Sequence, residues 1–324
     1  MKILCTGGSG FIGTHFMDWF LEKGIDVLNV DIKAPQKTEH LKSWVECDIL
    51  NYENLKAVFT DYQPTHVVHL AARAVMEGKS LDDFKENTDG TKNILEITKI
   101  TQSVSRIIVT SSQHVRKPGS ELPHHDNDFE PLGLYGQSKV ITEQLTRQAD
   151  LKCVWTIIRP TNIWGPYHPL FEAGLWRVIK KGLYFHPSGK PIIRSYGYVG
   201  NVIWQIEKIL HAPDGIVNTK MFYVGEAPSD QLDWLNAFSK ALTGTNVKVV
   251  PKNIIFLLAI TGDFLSIFHI KFPMYAERFR NLTTSNFVPV QRTLDTFGQP
   301  PYSLEDGIRE TVSWLKNKGG IWNK

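Results

Sequence analysis

The chain has little that would staple, anchor or strongly charge it. Its 324 residues include only 3 cysteines, Cys5, Cys47 and Cys153. An odd, widely spaced set argues against a disulfide framework and for a reducing compartment, so a cytoplasmic location is expected. Lys and Arg total 36 against 33 Asp and Glu; a net charge of +3 is too small to imply a nucleic-acid partner. No apolar run reaches the length of a transmembrane segment. The most hydrophobic stretch, 254–270, is interrupted by Thr261, Gly262, Asp263, Ser266 and His269, and is expected to form a buried or interfacial helix. Met1 leads directly into a strand pattern, so no secretory leader is expected. Internal repeats, low-complexity tracts and flexible linkers are missing as well. What remains is 42% hydrophobic residues and a mean hydropathy of −0.19, which exclude a disordered or fibrous chain. The length suits one large or two intimately joined domains.

Against that plain background the first thirteen residues stand out. An apolar strand over 3–6 runs into Gly7, Gly8, Gly10 and Gly13, and a helix pattern begins at once with Phe11, Ile12 and Phe16. Glycines at this spacing permit a tight turn, let the backbone approach a pyrophosphate, and let helix and strand pack closely. The helix N-terminus then faces the anion. The confirming context is an acid about twenty residues on, which Asp31 supplies at the end of the apolar strand 27–30. A carboxylate there accepts from a ribose 2′-OH and repels a 2′-phosphate, favouring NAD over NADP.

Strands and helices then alternate. Strands are expected over 44–48, 66–70, 106–112 and 153–159, and helices over 51–60, 81–101 and 133–149. The strands are continuous apolar runs, such as Ile107-Ile108-Val109, as parallel strands buried on both faces require. The pattern predicts an α/β, Rossmann-like doubly wound parallel sheet with a smaller mixed C-terminal substrate domain. Residues 1–164 form the expected NAD-binding domain, rejoined by about 196–225. The substrate-binding part comprises 165–195, rich in Pro, Gly and aromatics, and 226–324, closing with an amphipathic helix over 303–316.

A second chemical signal is Tyr135-Gly136-Gln137-Ser138-Lys139. Positions i and i+4 share one helix face, so a phenol and an ammonium can act on the same substrate. An ordinary tyrosine has a pKa of about 10; acting as a base near neutrality needs a drop of roughly three units, about 4 kcal/mol. A neighbouring ammonium and a nicotinium cation together suffice. The preceding strand ends in Thr110-Ser111-Ser112, which places a hydroxyl beside the same chemistry.

With these residues in view, the chain resembles the extended short-chain dehydrogenase/reductases, specifically the NAD-dependent sugar epimerase/dehydratase family that includes UDP-galactose 4-epimerase. The resemblance spans nearly the whole chain. It rests on Thr6-Gly7-Gly8-Ser9-Gly10-Phe11-Ile12-Gly13, Asp31, Asp48-Ile49, His69-Leu70-Ala71-Ala72, Asn87-Thr88-Asp89-Gly90-Thr91, Ser111-Ser112, Tyr135 with Lys139, and 159–166 (Arg-Pro-Thr-Asn-Ile-Trp-Gly-Pro). It implies that Gly7, Gly10 and Gly13 line the pyrophosphate, with Phe11 and Ile12 giving backbone N–H groups. Asp31 would hold the adenosine ribose, and Asp48 with Ile49 would flank the adenine. Leu70, Ala71 and Ala72 would pass beneath the cofactor, Arg73 would reach its phosphates, and Asn87 would be a structural asparagine nearby. Ser112 matches the catalytic hydroxyl, Tyr135 the base and Lys139 its activator, with Lys139 also on the nicotinamide ribose. Pro160 would lie beside the nicotinamide and Asn162 near the sugar nucleotide. The resemblance also implies a homodimer through the helices at 81–101 and 133–149.

Departures from the family pattern narrow the chemistry. Sugar 4,6-dehydratases resemble one another in placing an acid one or two residues after the catalytic hydroxyl; this chain has Gln113 and His114. A usual 4,6-dehydratase is therefore disfavoured, and His114 becomes a substrate-facing candidate or a hydrogen-bonded wall residue. In 194–202 the family's acids are replaced by Ser195, Gly200 and Asn201, whereas Arg194 keeps the cation suited to a diphosphate. Arg278 and Arg280 are lesser diphosphate candidates. The cluster His124-His125-Asp126-Asn127-Asp128 is expected to be a solvated loop, with no metal site. The function implied is an NAD-dependent epimerase acting on a nucleotide-diphosphate sugar through a transient keto intermediate. The alternatives are an NAD(P)H-dependent keto-sugar reductase and a catalytically silent nucleotide-sensing protein.

Overall fold

A computed structural model describes residues 1–270 and 272–323. Its centre is a seven-stranded sheet built from β1 (Lys2–Thr6), β2 (Asp26–Asp31), β3 (Trp44–Glu46), β4 (His66–His69), β5 (Arg106–Thr110), β6 (Val154–Pro160) and β7 (Lys220–Val224). The spatial order is β7-β6-β5-β4-β1-β2-β3, and every pairing is parallel. Parallel neighbours need crossovers, and helices α1 (Phe11–Glu22), α2 (Tyr52–Tyr62), α3 (Thr91–Ile100), α4 (Gly133–Gln148) and α5 (Val199–His211) supply most of them. The strands are apolar along their length because helices cover both faces: Ile3, Leu4, Ile107, Ile108 and Val109 are all fully buried. The chain is thus the α/β, Rossmann-like doubly wound fold that its alternation predicts. Strand order reverses between β1 and β4, and the carboxyl ends flanking such a reversal are where open α/β sheets bind ligands.

The chain divides into two compact units: 1–163, 197–226 and 288–301 make the first, and 164–196, 227–287 and 302–324 the second. The sheet and α1–α5 lie in the first. The segment 288–301, grouped with the substrate part on sequence, packs here instead: Thr293 donates to the carbonyl of Tyr223 at 2.6 Å, and Val288, Val290 and Leu294 join Met221 and Tyr223 in a buried cluster.

The expected helix over 81–101 is three pieces: a 3₁₀ turn Leu81–Phe84, a π-helical turn Glu86–Gly90, and α3. The cause is Asn87. Its carbonyl accepts the hydroxyls of Thr91 and Thr142 at 2.9 and 2.6 Å, and its side chain is committed to Arg73 and Ser138. Pinning one buried residue from several sides widens the helix locally, a distortion often found beside functional sites.

The second unit holds its own aromatic core. Trp164, Trp176 and Trp234 are essentially fully buried; Tyr196 stacks on Trp234 with centroids 4.4 Å apart, and Phe238 packs on Trp234 at 4.6 Å. The helix Gln231–Thr243 starts at an Asp230 cap and ends at Gly244, and Leu304–Asn317 starts from a Ser303/Asp306 capping box. The stretch 254–270 is not the buried helix that its composition allows. The helix Lys252–Ser266 buries only Ile255, Ala259 and Gly262, one narrow stripe. No helix among the described residues is long and apolar enough to cross a membrane.

One packing feature sets how α4 is seated. Helix α4 turns a polar stripe, not an apolar one, into the protein: Tyr135, Ser138, Lys139, Thr142, Glu143 and Thr146 are all buried, at helical spacing. Each side chain past Tyr135 is satisfied. Glu143, fully buried, accepts from Arg159 at 2.7 and 2.9 Å and from Ser111 at 2.6 Å. Removing one partner of such a pair strands a buried charge. Glu143→Ala is expected to lower unfolding free energy by about 3–5 kcal/mol in urea titrations; a loss below about 1 kcal/mol, typical of a surface pair, would refute this role.

Candidate active site

The turn after β1 is fixed by steric necessity. Gly7 has φ +78°, and a Cβ there would lie 2.5 Å from the amide nitrogen of Ala71. A Cβ on Gly13 would lie 2.1 Å from the Gly7 carbonyl oxygen. The turn is therefore pressed backbone to backbone against the chain leaving β4, and α1 against the turn, as only glycine allows. Gly10, extended and without a side chain to cap, precedes Phe11 and Ile12 at the start of α1, whose first turn carries no acid. That end of the helix presents amide N–H groups and the positive end of its dipole.

Around the turn, Asp31 accepts from the amides of Ser9 at 3.1 Å and Lys33 at 3.0 Å. Ser9 in turn donates to the carbonyl of Lys33 and accepts from Asn29. Asp48 is exposed and accepts from the Leu50 amide at 2.9 Å, beside buried Ile49. The chain leaving β4 is tied to β1: the Leu70 amide donates to the carbonyl of Thr6 at 3.0 Å, and the Ala71 amide to its hydroxyl at 3.3 Å. Ala72 follows, and the Arg73 amide donates to Asn87 at 2.8 Å. The Arg73 guanidinium lies over the ring of Phe84, 5.6 Å from its centroid. Pro160 ends β6 opposite Val224.

At the end of β5, Ser112 caps a short turn, accepting from the His114 amide at 3.2 Å. Tyr135 is buried and hydrogen-bonded with Ser112; burial pushes its phenol above the ordinary range, and that hydrogen bond pulls the other way. Lys139 donates to the carbonyl of Thr110 at 3.0 Å. Burial lowers its pKa to about 8, with Glu143 opposing. The structure thus brings Ser112, Tyr135 and Lys139 together, while in the protein alone the phenol is not acidified. Nearby, His69 bridges the hydroxyls of Thr6 at 2.7 Å and Thr91 at 3.1 Å, and burial with the Lys139 charge holds it neutral, near pKa 3.

His114 is mostly buried, its ring edge-on to Tyr135 with centroids 6.0 Å apart. Burial lowers its pKa, and its Nδ1 is buried with no protein partner among the described residues. Gln113 donates to Asn162 at 2.8 Å, so one of the two positions at which an acid is expected of a 4,6-dehydratase holds a neutral amide engaged with another site candidate. Arg194 belongs to the second unit, where it pairs in a two-stranded sheet with 229–230 and donates to the carbonyl of Asn281. The polar loop at 124–128 folds on itself: Asp128 accepts from the amides of His124 and His125. Among the described residues no group of three or more His, Cys, Asp or Glu is placed to hold a metal ion.

Ser9, Asn29, His69 and Thr110 were given no role in the sequence, and Gln113 only a negative one, as a residue that is not an acid. Ser9 and His69 lie inside quoted motifs, a signal that proximity alone could have raised. Asn29, Thr110 and Gln113 act through partners that only the folded chain supplies.

Comparison with known proteins identifies the family. The NAD dependent epimerase/dehydratase family matches residues 3–225. Among curated relatives, the UDP-glucuronate 4-epimerase of Thermodesulfobacterium geofontis is 24% identical over 97% of this chain and 95% of its own. The decarboxylating sterol-4-alpha-carboxylate 3-dehydrogenase erg26 of Schizosaccharomyces pombe is 23% identical over 95% of this chain and 96% of its own. Among solved structures, the UDP-glucuronic acid 4-epimerase of Bacillus cereus, in complex with UDP-glucuronic acid and NAD, superposes with a TM-score of 0.74 at 20% identity, over 98% of this chain and all of that one. The match to the family over residues 3–225, more than two thirds of the sequence, establishes that this chain belongs to the NAD dependent epimerase/dehydratase family.

Proposed function

We propose that the protein is an NAD-dependent epimerase acting on a nucleotide-diphosphate sugar. The observation that carries this reading is the convergence of Ser112, Tyr135 and Lys139 at the carboxyl end of β5, in the same unit as the glycine turn. The fit to NAD rests on the backbone: the positions a side chain would fill at Gly7 and Gly13 are closed to any residue but glycine, and the start of α1 is suited to a pyrophosphate. Gly7, Gly10, Gly13, Phe11 and Ile12 would hold the diphosphate, Asp31 the adenosine ribose, and Asp48 and Ile49 the adenine. Leu70, Ala71, Ala72, Arg73, Asn87 and Pro160 would line the remaining cofactor surface. When bound, the nicotinamide supplies a reversible hydride acceptor and a positive charge.

The chain's own residues manage the proton. Tyr135 takes it from a sugar hydroxyl as the carbinol carbon becomes a ketone, and returns it when the ketone is reduced on its other face. Ser112 donates a hydrogen bond to the reacting oxygen. Lys139, held by Thr110, lowers the cost of the phenolate and holds the nicotinamide ribose. Burial raises the phenol in the protein by itself, and the positive charge of a bound nicotinamide would lower it. His114 and Asn162 would face the sugar; Arg194 is the cation that the sequence pattern offers for a diphosphate. The nucleotide sugar comes from the relatives, which include UDP-glucuronate and UDP-glucose 4-epimerases. A homodimer and a cytoplasmic location complete the proposal.

A net redox enzyme is the second reading, favoured by similarity to sterol dehydrogenases over 95% of the chain. The two differ in cofactor balance. Following NADH absorbance over many turnovers with UDP-glucuronate or UDP-glucose should show no stoichiometric change for an epimerase; consumption matched to product would select the redox reading.

Tyr135→Phe is expected to keep the NAD-induced rise in Tm while losing roughly a hundred-fold or more in kcat; activity like that of the unaltered enzyme would sink the assignment. Lys139 gives a pH signature. Below its folded pKa of about 8 the group is charged in both folded and unfolded chains, and the cost of burying that charge is fully present. Between there and the ordinary lysine value near 10.4, only the unfolded chain keeps the proton, so stability rises with pH. The urea midpoint of the cofactor-free protein, relative to Lys139→Met, should climb across that window; a flat difference would contradict it.

A further inference from the structure

Helix Lys252–Ser266 and the segment after it combine two unusual properties. From Lys248 to Thr283 the sequence carries five Lys and Arg (248, 252, 271, 278 and 280) against Asp263 and Glu277, a net +3 equal to that of the whole chain; elsewhere the charges balance. The same segment concentrates exposed apolar side chains, with Leu257 63%, Phe264 59%, Ile267 70% and Phe268 60% accessible. Single exposed hydrophobics are ordinary, but a contiguous group marks an interaction surface.

The segment is built rather than frayed. A Cβ on Gly262 would lie 1.7 Å from the carbonyl oxygen of Met274, so the helix is pressed against the returning chain. Asp263 accepts from the Ala276 amide at 3.2 Å, Arg278 donates to the carbonyl of Pro273 at 2.6 Å, and the rings of Phe256 and Phe279 are 5.4 Å apart. The helix pair Lys252–Ser266 and Ala276–Thr283 is therefore a defined hairpin.

We infer that this hairpin seats the protein on an anionic phospholipid surface. Three observations select lipid as the occupant. The exposed apolar residues of the first helix spread over roughly 200° of its circumference at 100° per residue, more than one flat protein face covers but what an acyl boundary accommodates. The helix has 15 residues, about 22 Å at 1.5 Å each, short of a hydrocarbon core of about 30 Å, so it lies in the interface and does not span it. Exposed Lys252, Arg278 and Arg280 belong to the same two helices, and cations combined with exposed apolar side chains draw a helix to anionic headgroups.

The test is vesicle flotation of the full chain, using phosphatidylcholine vesicles with and without phosphatidylserine. The protein should float with the serine-containing vesicles. Lys252→Gln and Arg280→Gln should each weaken binding about five-fold, and the double variant Phe264→Glu/Phe268→Glu should abolish flotation while keeping its Tm and its NAD-induced shift. Retention of both proteins in the bottom fraction, or equal flotation of the double variant, would overturn the inference. So would sedimentation velocity showing an assembly that the double variant dissociates while neither protein floats, because the occupant would then be a second copy.

Discussion

The inward polar face of α4 is the constraint on which the rest of the site depends. A helix normally buries an apolar stripe; this one buries Tyr135, Ser138, Lys139, Thr142, Glu143 and Thr146, and such a face is tolerable only when each group has a partner. The partners are drawn from distant parts of the chain: Asn87 before α3, Thr110 and Ser111 at the end of β5, and Arg159 in β6. Satisfying them fixes the helix in rotation and in height. Tyr135 and Lys139 therefore meet Ser112 as a consequence of how Glu143 and Ser138 are held.

The glycine turn meets this arrangement through β4. Gly7 is pressed on Ala71, His69 joins Thr6 to Thr91, and Asn87 joins Arg73 to Ser138. Glycine turn, strand ends and α4 are one connected set of contacts on either side of the strand reversal. The second unit shows the opposite balance. Its inside is a stacked aromatic cluster, whereas its hairpin leaves apolar side chains outside, so its composition does not reveal which hydrophobic residues form the core.

Much of the sheet was legible in the sequence because parallel strands buried on both faces leave long apolar runs, and the glycine turn because its sterics admit one residue type. The helix over 81–101 was legible only as a helix. Its π-helical turn arises from partners of Asn87 that lie far away in sequence. For the stretch 254–270 the sequence left a buried and an interfacial helix open, since a hydrophobic helix reads alike whether a core or only one narrow stripe covers it.

By itself the sequence determined the doubly wound α/β fold and the family, because turn geometry, strand burial and the Tyr135/Lys139 spacing are local properties. Only the tertiary structure decided that Tyr135 is held unacidified by burial, that Lys139 is tuned toward neutrality, and that Gln113 is spent on Asn162. It alone placed 288–301 with the sheet and left the hydrophobic helix exposed. Those outcomes depend on desolvation and on partners tens of residues away, and a linear pattern carries neither.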